Sequence, residues 1–269
     1  METGKYDNIS LKEYHAMPGW SKTKLDKINR SPAHYLEWLA NPPEQTPAMA
    51  FGSALHCAVL TPQLYKAEYA VMPEIDRRTK SGKEAYAQFC IDSPGKCFVT
   101  AVQAGQIERM QAAIFDHPLA SQILSNGEAE QSFFWIDPKT GLECKVRPDY
   151  LRNDGICSDL KTCDNAGFKK FQRSVCDFRY HVQGAFFVDG IFQATKLQCS
   201  DFVLIAVEKD PPFGIMVYRL DDLAMDSGRT AYQDNLLEIK QWQEHPEAYK
   251  TVYQLSQSPV EMPLPAWAE

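Results

Sequence analysis

Residues 147–161, Arg-Pro-Asp-Tyr-Leu-Arg-Asn-Asp-Gly-Ile-Cys-Ser-Asp-Leu-Lys, constrain this chain more than any other stretch. Side chains alternate along a strand, so Asp159 and Lys161 point to one face. On the preceding strand Lys145, Arg147 and Asp149 share one face, and Cys144, Val146 and Tyr150 the other. Asn153-Asp154-Gly155 suits a three-residue hairpin turn with Gly155 in the left-handed conformation. If Arg152 pairs with Ile156, Asp149 falls opposite Asp159 with Cβ atoms about 5 Å apart. Two carboxylates that close repel unless a cation lies between them, and hard oxygen donors favour Mg²⁺ or Mn²⁺. A lysine beside them can orient a water or offset charge on a phosphate. Such a set suits metal-dependent phosphodiester cleavage. The same residues also fit a surface hairpin whose charges are solvated or ion-paired.

Composition sets wide bounds. At 269 residues, 44% hydrophobic and 23% charged, the chain has the make-up of an ordinary globular protein with ample core. No apolar run approaches the roughly 20 residues that span a bilayer, and the polar N-terminus is no signal peptide, so the expectation is a cytoplasmic protein without a membrane role. Eight scattered cysteines without a Cys-x-x-Cys read as reduced core thiols, with no iron–sulfur cluster. A net charge of −7 argues against non-specific coating of nucleic acid, although a groove can be locally positive on an acidic surface.

The order of elements predicts one α/β domain over 1–269. A helical part covers about 10–120, a sheet core about 129–220, and a C-terminal helix and Pro-rich tail 221–269. Ser21 is a plausible N-cap for a helix holding Leu25 and Ile28, and Ser31-Pro32 restarts the chain as a second helix. Further helices are expected over 48–60, 84–89, 101–115, 168–178, 180–192 and 223–244, and strands over 129–136, 142–151, 156–161, 202–207 and 215–220. Residues 73–83 read as a basic loop poor in apolar residues.

Other residues join the candidate site. His56 is the one ionisable side chain in an otherwise apolar helix, one turn beyond Gly52; it is either a satisfied buried histidine or a metal ligand. Glu130 begins a strand that, if it borders the Asp149 strand, reaches the edge of the site. Tyr180, Gln183 and Phe187 recur on one helical face, where a glutamine can hold a phosphate or cap a backbone group. Arg77, Arg78, Lys80 and Lys83, and the set Lys169, Lys170 and Arg173, suit phosphate contacts or a solvated face.

In this order the pieces resemble the PD-(D/E)xK nuclease superfamily, within it the RecB-like branch and the exonuclease VIII (RecE-type) catalytic domain. The resemblance covers almost the whole chain. It rests on Ser21-x-x-x-Leu25 with Ser31-Pro32-Ala33-x-Tyr35, Phe51-Gly52-x-Ala54-x-His56, Asp76-Arg77-Arg78-Thr79-x-x-Gly82-Lys83, Arg147-Pro148-Asp149, Asp159-x-Lys161-Thr162, and Tyr180-His181-Val182-Gln183. It implies a restriction-endonuclease-like core, a mixed sheet flanked by helices. It also implies that His56, Asp149, Asp159 and the Leu160 carbonyl bind Mg²⁺, with Mn²⁺ able to substitute. Lys161 would activate or position the attacking water, and Gln183, Tyr180, Arg147, Arg77, Arg78 and Lys83 would contact substrate. Glu130 matches an acidic position of the branch. One departure is Phe187, where the family carries a tyrosine. The implied activity is 5′-to-3′ exonucleolysis of double-stranded DNA from its ends in phage-type recombination, by a homo-oligomeric ring working with a single-strand annealing protein. The alternatives are a RecB/Cas4-like structure-specific endonuclease and an inactive nuclease fold serving as a DNA-binding scaffold.

Overall fold

A computed structural model describes residues 2–7, 9–249, 259 and 261–263; the rest of the expected Pro-rich tail lies outside the described residues. From the N-terminus come β1 (Gly4–Tyr6), α1 (Leu11–Ala16), α2 (Lys22–Ile28), α3 (Pro32–Ala40) and α4 (Pro47–Leu60). Next are α5 (Pro62–Glu68), β2 (Tyr69–Met72), α6 (Lys80–Asp92), β3 (Cys97–Thr100), α7 (Ala101–Asp116) and α8 (Pro118–Ile123). The sheet region runs β4 (Gly127–Ala129), β5 (Ser132–Ile136), β6 (Glu143–Val146), β7 (Tyr150–Arg152) and β8 (Ile156–Cys163). After it come α9 (Phe168–Asp177), α10 (Tyr180–Thr195), β9 (Asp201–Glu208), β10 (Ile215–Arg219) and α11 (Asp222–Glu244).

The central sheet has the order β10-β9-β8-β7-β4, in which β8 and β9 are parallel and the other neighbours antiparallel. This is the mixed sheet expected. Strand β9 explains why it has two covered faces. Phe202, Leu204 and Ala206 join one buried cluster with α10 and α11, while Val203, Ile205 and Val207 join another with α4 and α7. A strand apolar at every position is the signature of burial on both sides. Strand β8 follows the same alternation: Cys157 packs on the α10 side and Leu160 on the α4 side. Asp159 and Lys161 therefore face α10, placed there by period two alone.

Two expected strands are broken. The stretch 129–136 divides into β4 and β5, and 142–151 into β6 and β7, because both strands leave the central sheet at one place to form a second sheet, β1-β5-β6. The causes are local. Glu130 takes a left-handed backbone at φ 56°, uncommon for a residue with a Cβ, and Pro148, next to the facing Asp149, has no N–H for a ladder. Register nevertheless runs straight through the break: Ala129 pairs with Tyr150 on one side and Phe133 with Val146 on the other. Lys145 and Arg147 share one face, as expected, with their cations 4.7 and 5.7 Å from the centre of the Tyr14 ring, but Lys145 does not reach the carboxylates. Its buried ammonium turns away to donate to the carbonyls of Tyr14 and Met17, each at 2.6 Å.

The basic loop is shorter than expected, since α6 begins at Lys80 rather than residue 84. Thr79 caps it by accepting from the Gly82 N–H at 3.0 Å. Gly82 is required there: a Cβ would lie 2.0 Å from the Asp76 carbonyl oxygen.

Candidate active site

Strand pairing alone aligns three carboxylates. Continuing the β4–β7 register sets Glu130 opposite Asp149, and the Glu130 N–H donates to the Asp149 carbonyl at 3.0 Å. On the other side, Tyr150 pairs with Ser158 and Leu151 with Cys157, a register that sets Asp149 opposite Asp159. The turn between β7 and β8 spans residues 153–155 with Gly155 at φ 88°, as expected from the sequence. Glu130, Asp149 and Asp159 thus form a row across three neighbouring strands.

Side chains from two helices close on this row from opposite faces of the sheet. From α4, started by Thr46 and Pro47, the His56 Nδ1 lies 3.3 Å from Asp149 Oδ2. From α10, Gln183 donates to Asp159 Oδ1 at 2.5 Å and accepts from Lys161 Nζ at 3.1 Å. Lys161 Nζ in turn sits 2.5 Å from Asp159 Oδ2 and 4.6 Å from the centre of the Tyr180 ring. Asp149 Oδ2 accepts the Leu160 N–H at 2.7 Å. In a strand, the N–H and C=O of one residue point to the same edge, so the Leu160 carbonyl also faces Asp149. Its opposite residue in the continued register is Pro148, which has no N–H to offer it.

The charges are strongly coupled. Burial disfavours the His56 imidazolium, but the Asp149 carboxylate outweighs it and lifts His56 to about 9. Burial also works against the Asp149 anion, yet His56, Lys161 and the Leu160 N–H hold its carboxyl below the usual range. Asp159 goes the other way, pushed up by burial and by Asp149 against the pull of Lys161. Glu130 is raised by burial and by Asp149, with Arg147 opposing. Asp149 and Lys161 are therefore held charged, while Glu130 and Asp159 resist ionising beside a second anion.

The residues present fit a divalent cation. One donor atom each from His56, Glu130 and Asp149 lie within 4.8 Å of one another. Asp159 Oδ2 is buried and accepts no well-directed hydrogen bond, despite the nearby ammonium. The carboxylates of Glu130 and Asp149 supply the hard oxygen donors such an ion takes and His56 a nitrogen, with Asp159 the neighbouring carboxylate.

Of the other residues expected to contact substrate, Arg147 borders the cluster, whereas Arg77, Arg78 and Lys83 make their contacts elsewhere. Arg147 is committed internally, donating to Glu130 Oε2 at 2.7 Å, the Ile9 carbonyl at 2.8 Å and Ser132 Oγ at 3.0 Å. It is set to hold Glu130, a use that the linear motif did not reveal. Phe187 is buried edge-on against Phe202 at 6.2 Å, whereas the hydroxyl-bearing ring beside Lys161 is Tyr180. Arg77, Arg78 and Lys83 are exposed; Arg77 lies over the Tyr86 ring at 4.2 Å and Arg78 pairs with Asp76 at 2.9 Å. Sequence reasoning missed Lys22 and Arg179, which share Asp26 at 2.7 and 3.0 Å. Burial depresses the Lys22 ammonium, and the charges of Lys161 and Arg179 add to that effect. Two cations on one carboxylate leave excess positive charge beside the site. No spacing rule connects residue 22 to residue 179.

The family described as "PDDEXK-like domain of unknown function (DUF3799)" matches residues 21–251. No curated protein matches the chain by sequence. Among solved structures, a protein from Eubacterium rectale, named as a candidate exonuclease, aligns with a TM-score of 0.60 at 15% identity, over 95% of this chain and 97% of that one. At that identity the likeness is one of fold. An alkaline exonuclease from Laribacter hongkongensis aligns over 75% of this chain and 98% of its own at 14% identity, with a TM-score of only 0.27.

Proposed function

The chain belongs to the PDDEXK-like DUF3799 family, and on that premise we propose that it is a Mg²⁺-dependent exonuclease of RecE type that degrades double-stranded DNA from its ends, 5′ to 3′, in phage-type recombination. The observation that carries the reading is the aligned row of Glu130, Asp149 and Asp159, with Lys161 at one end and His56 above it.

His56, Glu130, Asp149, Asp159 and the Leu160 carbonyl would hold the cation, with Mn²⁺ able to take the place of Mg²⁺. Bound there, it would acidify a water and offset charge on the scissile phosphate. Lys161, kept protonated by Asp159 and Asp149, presents N–H donors where the phosphate gains negative charge. Gln183 fixes that lysine and Asp159 together through one amide. Arg147 fixes the Glu130 carboxylate from behind. Resemblance rather than geometry supports the polarity, the ring-shaped assembly and the annealing partner.

The reading is tested on linear duplex with Mg²⁺ and with EDTA. Cleavage should require the metal and fall at least about 100-fold in Asp149→Ala, Asp159→Ala and Lys161→Ala, equivalent to about 3 kcal/mol of transition-state stabilisation. Binding of duplex without cleavage under any divalent metal would leave the inactive scaffold as the better description.

A further inference from the structure

Helices α9 and α10 meet in a corner of two residues, Phe178 and Arg179, which carries an aromatic ring into solvent beside Lys161. Phe178 is 59% exposed, against 2% for Phe171 earlier on α9. It is not a loose surface residue. Its ring stacks on Tyr180 with centroids 5.6 Å apart and planes 23° from parallel, and Tyr180 in turn lies under the Lys161 ammonium at 4.6 Å. The backbone is pinned as well: Lys22 Nζ donates to the Phe178 carbonyl at 2.6 Å, and Arg179 adopts a left-handed φ of 53°. Arg179 is anchored to Asp26 at 3.0 Å and to Asn235 at 2.8 Å. A line of contacts therefore runs from the exposed ring through Tyr180 and Lys161 to Asp159, flanked by the cations of Lys22 and Arg179.

An exposed, rigidly held aromatic face among cations next to phosphate chemistry suits a nucleobase. Aromatic side chains stack on bases without regard to sequence, because every base has a π face. Within a duplex each base already stacks on both neighbours, so a protein ring finds a free face only at an end or on an unpaired base. We infer that Phe178 is the stacking platform for the terminal or unpaired base of the DNA strand whose phosphate lies at Lys161, and that it contributes to selection of ends. The inference rests on the nuclease reading for the identity of the substrate but names a contact which that reading does not contain. Phe178 acts here in binding and positioning, and touches none of the reacting atoms.

The experiment places 2-aminopurine either at the terminus or ten base pairs inside a linear duplex, with the full chain carrying Asp159→Ala to prevent turnover. Fluorescence of the terminal probe should be quenched on binding, and that of the internal probe should not. Adding Phe178→Ala should abolish the terminal quench, and Phe178→Trp should restore it. In the otherwise unchanged enzyme, Phe178→Ala should raise KM between about fivefold and a hundredfold, the range that removal of one stacked base implies, with kcat changed far less. Circular dichroism verifies folding, which an exposed position should tolerate. An unaltered quench and KM in Phe178→Ala would overturn the platform while leaving cleavage, and hence the nuclease reading, intact. A wild-type protein that quenches the terminal probe but never cleaves would do the reverse.

Discussion

His56 lies 3.3 Å from Asp149, and that proximity makes it a proton store as well as a candidate ligand. Burial opposes its charge, Asp149 more than compensates, and the imidazole is lifted from 6.5 to about 9. A ligand must be neutral, so below pH 9 binding of a divalent cation should expel this proton. Apparent affinity should then climb about tenfold for each pH unit between 7 and 9, with proton release visible by calorimetry in buffers of different ionisation enthalpy. The sign for stability is opposite. A histidine raised in the folded state contributes fully below 6.5, and its contribution fades as pH rises through about 9. In EDTA, Tm should therefore fall across that window, more steeply in the wild type than in His56→Ala. That variant should lose cleavage mainly at low Mg²⁺. Metal affinity independent of pH from 7 to 9 would return His56 to a structural role.

At the scale of elements, the kinked hairpin from β4 to β7 is what brings a third carboxylate to the pair read from the sequence. Were 129–136 and 142–151 the two straight strands expected, Glu130 and Asp149 would lie inside one regular sheet. The break leaves Asp149 beside Leu160 with Glu130 opposite it, where no ladder donor competes for the Leu160 carbonyl. The corner ahead of α6 invites a separate test. Arg77 and Lys83 are exposed, whereas the charge of Arg78 is offset by Asp76. Removing a cation that touches one phosphate lowers the dependence of log K on log salt by about one. Arg77→Glu and Lys83→Glu should each flatten DNA binding by about that amount, and Arg78→Glu by less. Wild-type slopes in the first two would make this corner a solvated surface only.

For the molecule as a whole, a net charge of −7 gives little long-range attraction to duplex DNA. Under the proposed reading, the local cations Lys22, Lys161 and Arg179 would grip a strand that has already arrived. An enclosing homo-oligomer, as the family resemblance implies, would compensate by holding DNA topologically and loading only at an end. Light scattering should then give a multiple of 30.5 kDa, and linear duplex should be consumed while covalently closed circles survive. Nicking of closed circles by a monomer would favour the endonuclease alternative.

Much of this was legible in the one-dimensional chain. Alternation along 156–161 set Asp159 and Lys161 on a common face, and Asn153-Asp154-Gly155 closed the turn that brings Asp149 opposite Asp159. Those are short-range consequences of strand period and turn chemistry, which a sequence carries directly. The apolar period around His56 likewise announced a helix, and Gln183 was singled out on the face that does meet Asp159. What the chain could not disclose depends on contacts between distant segments. Lys22 with Arg179, Arg147 with Glu130, and the exit of two strands into a second sheet arise only once separate elements pack. So does the exposure of Phe178, because whether a phenylalanine enters the core or stands beside Lys161 is decided by how α9 turns into α10.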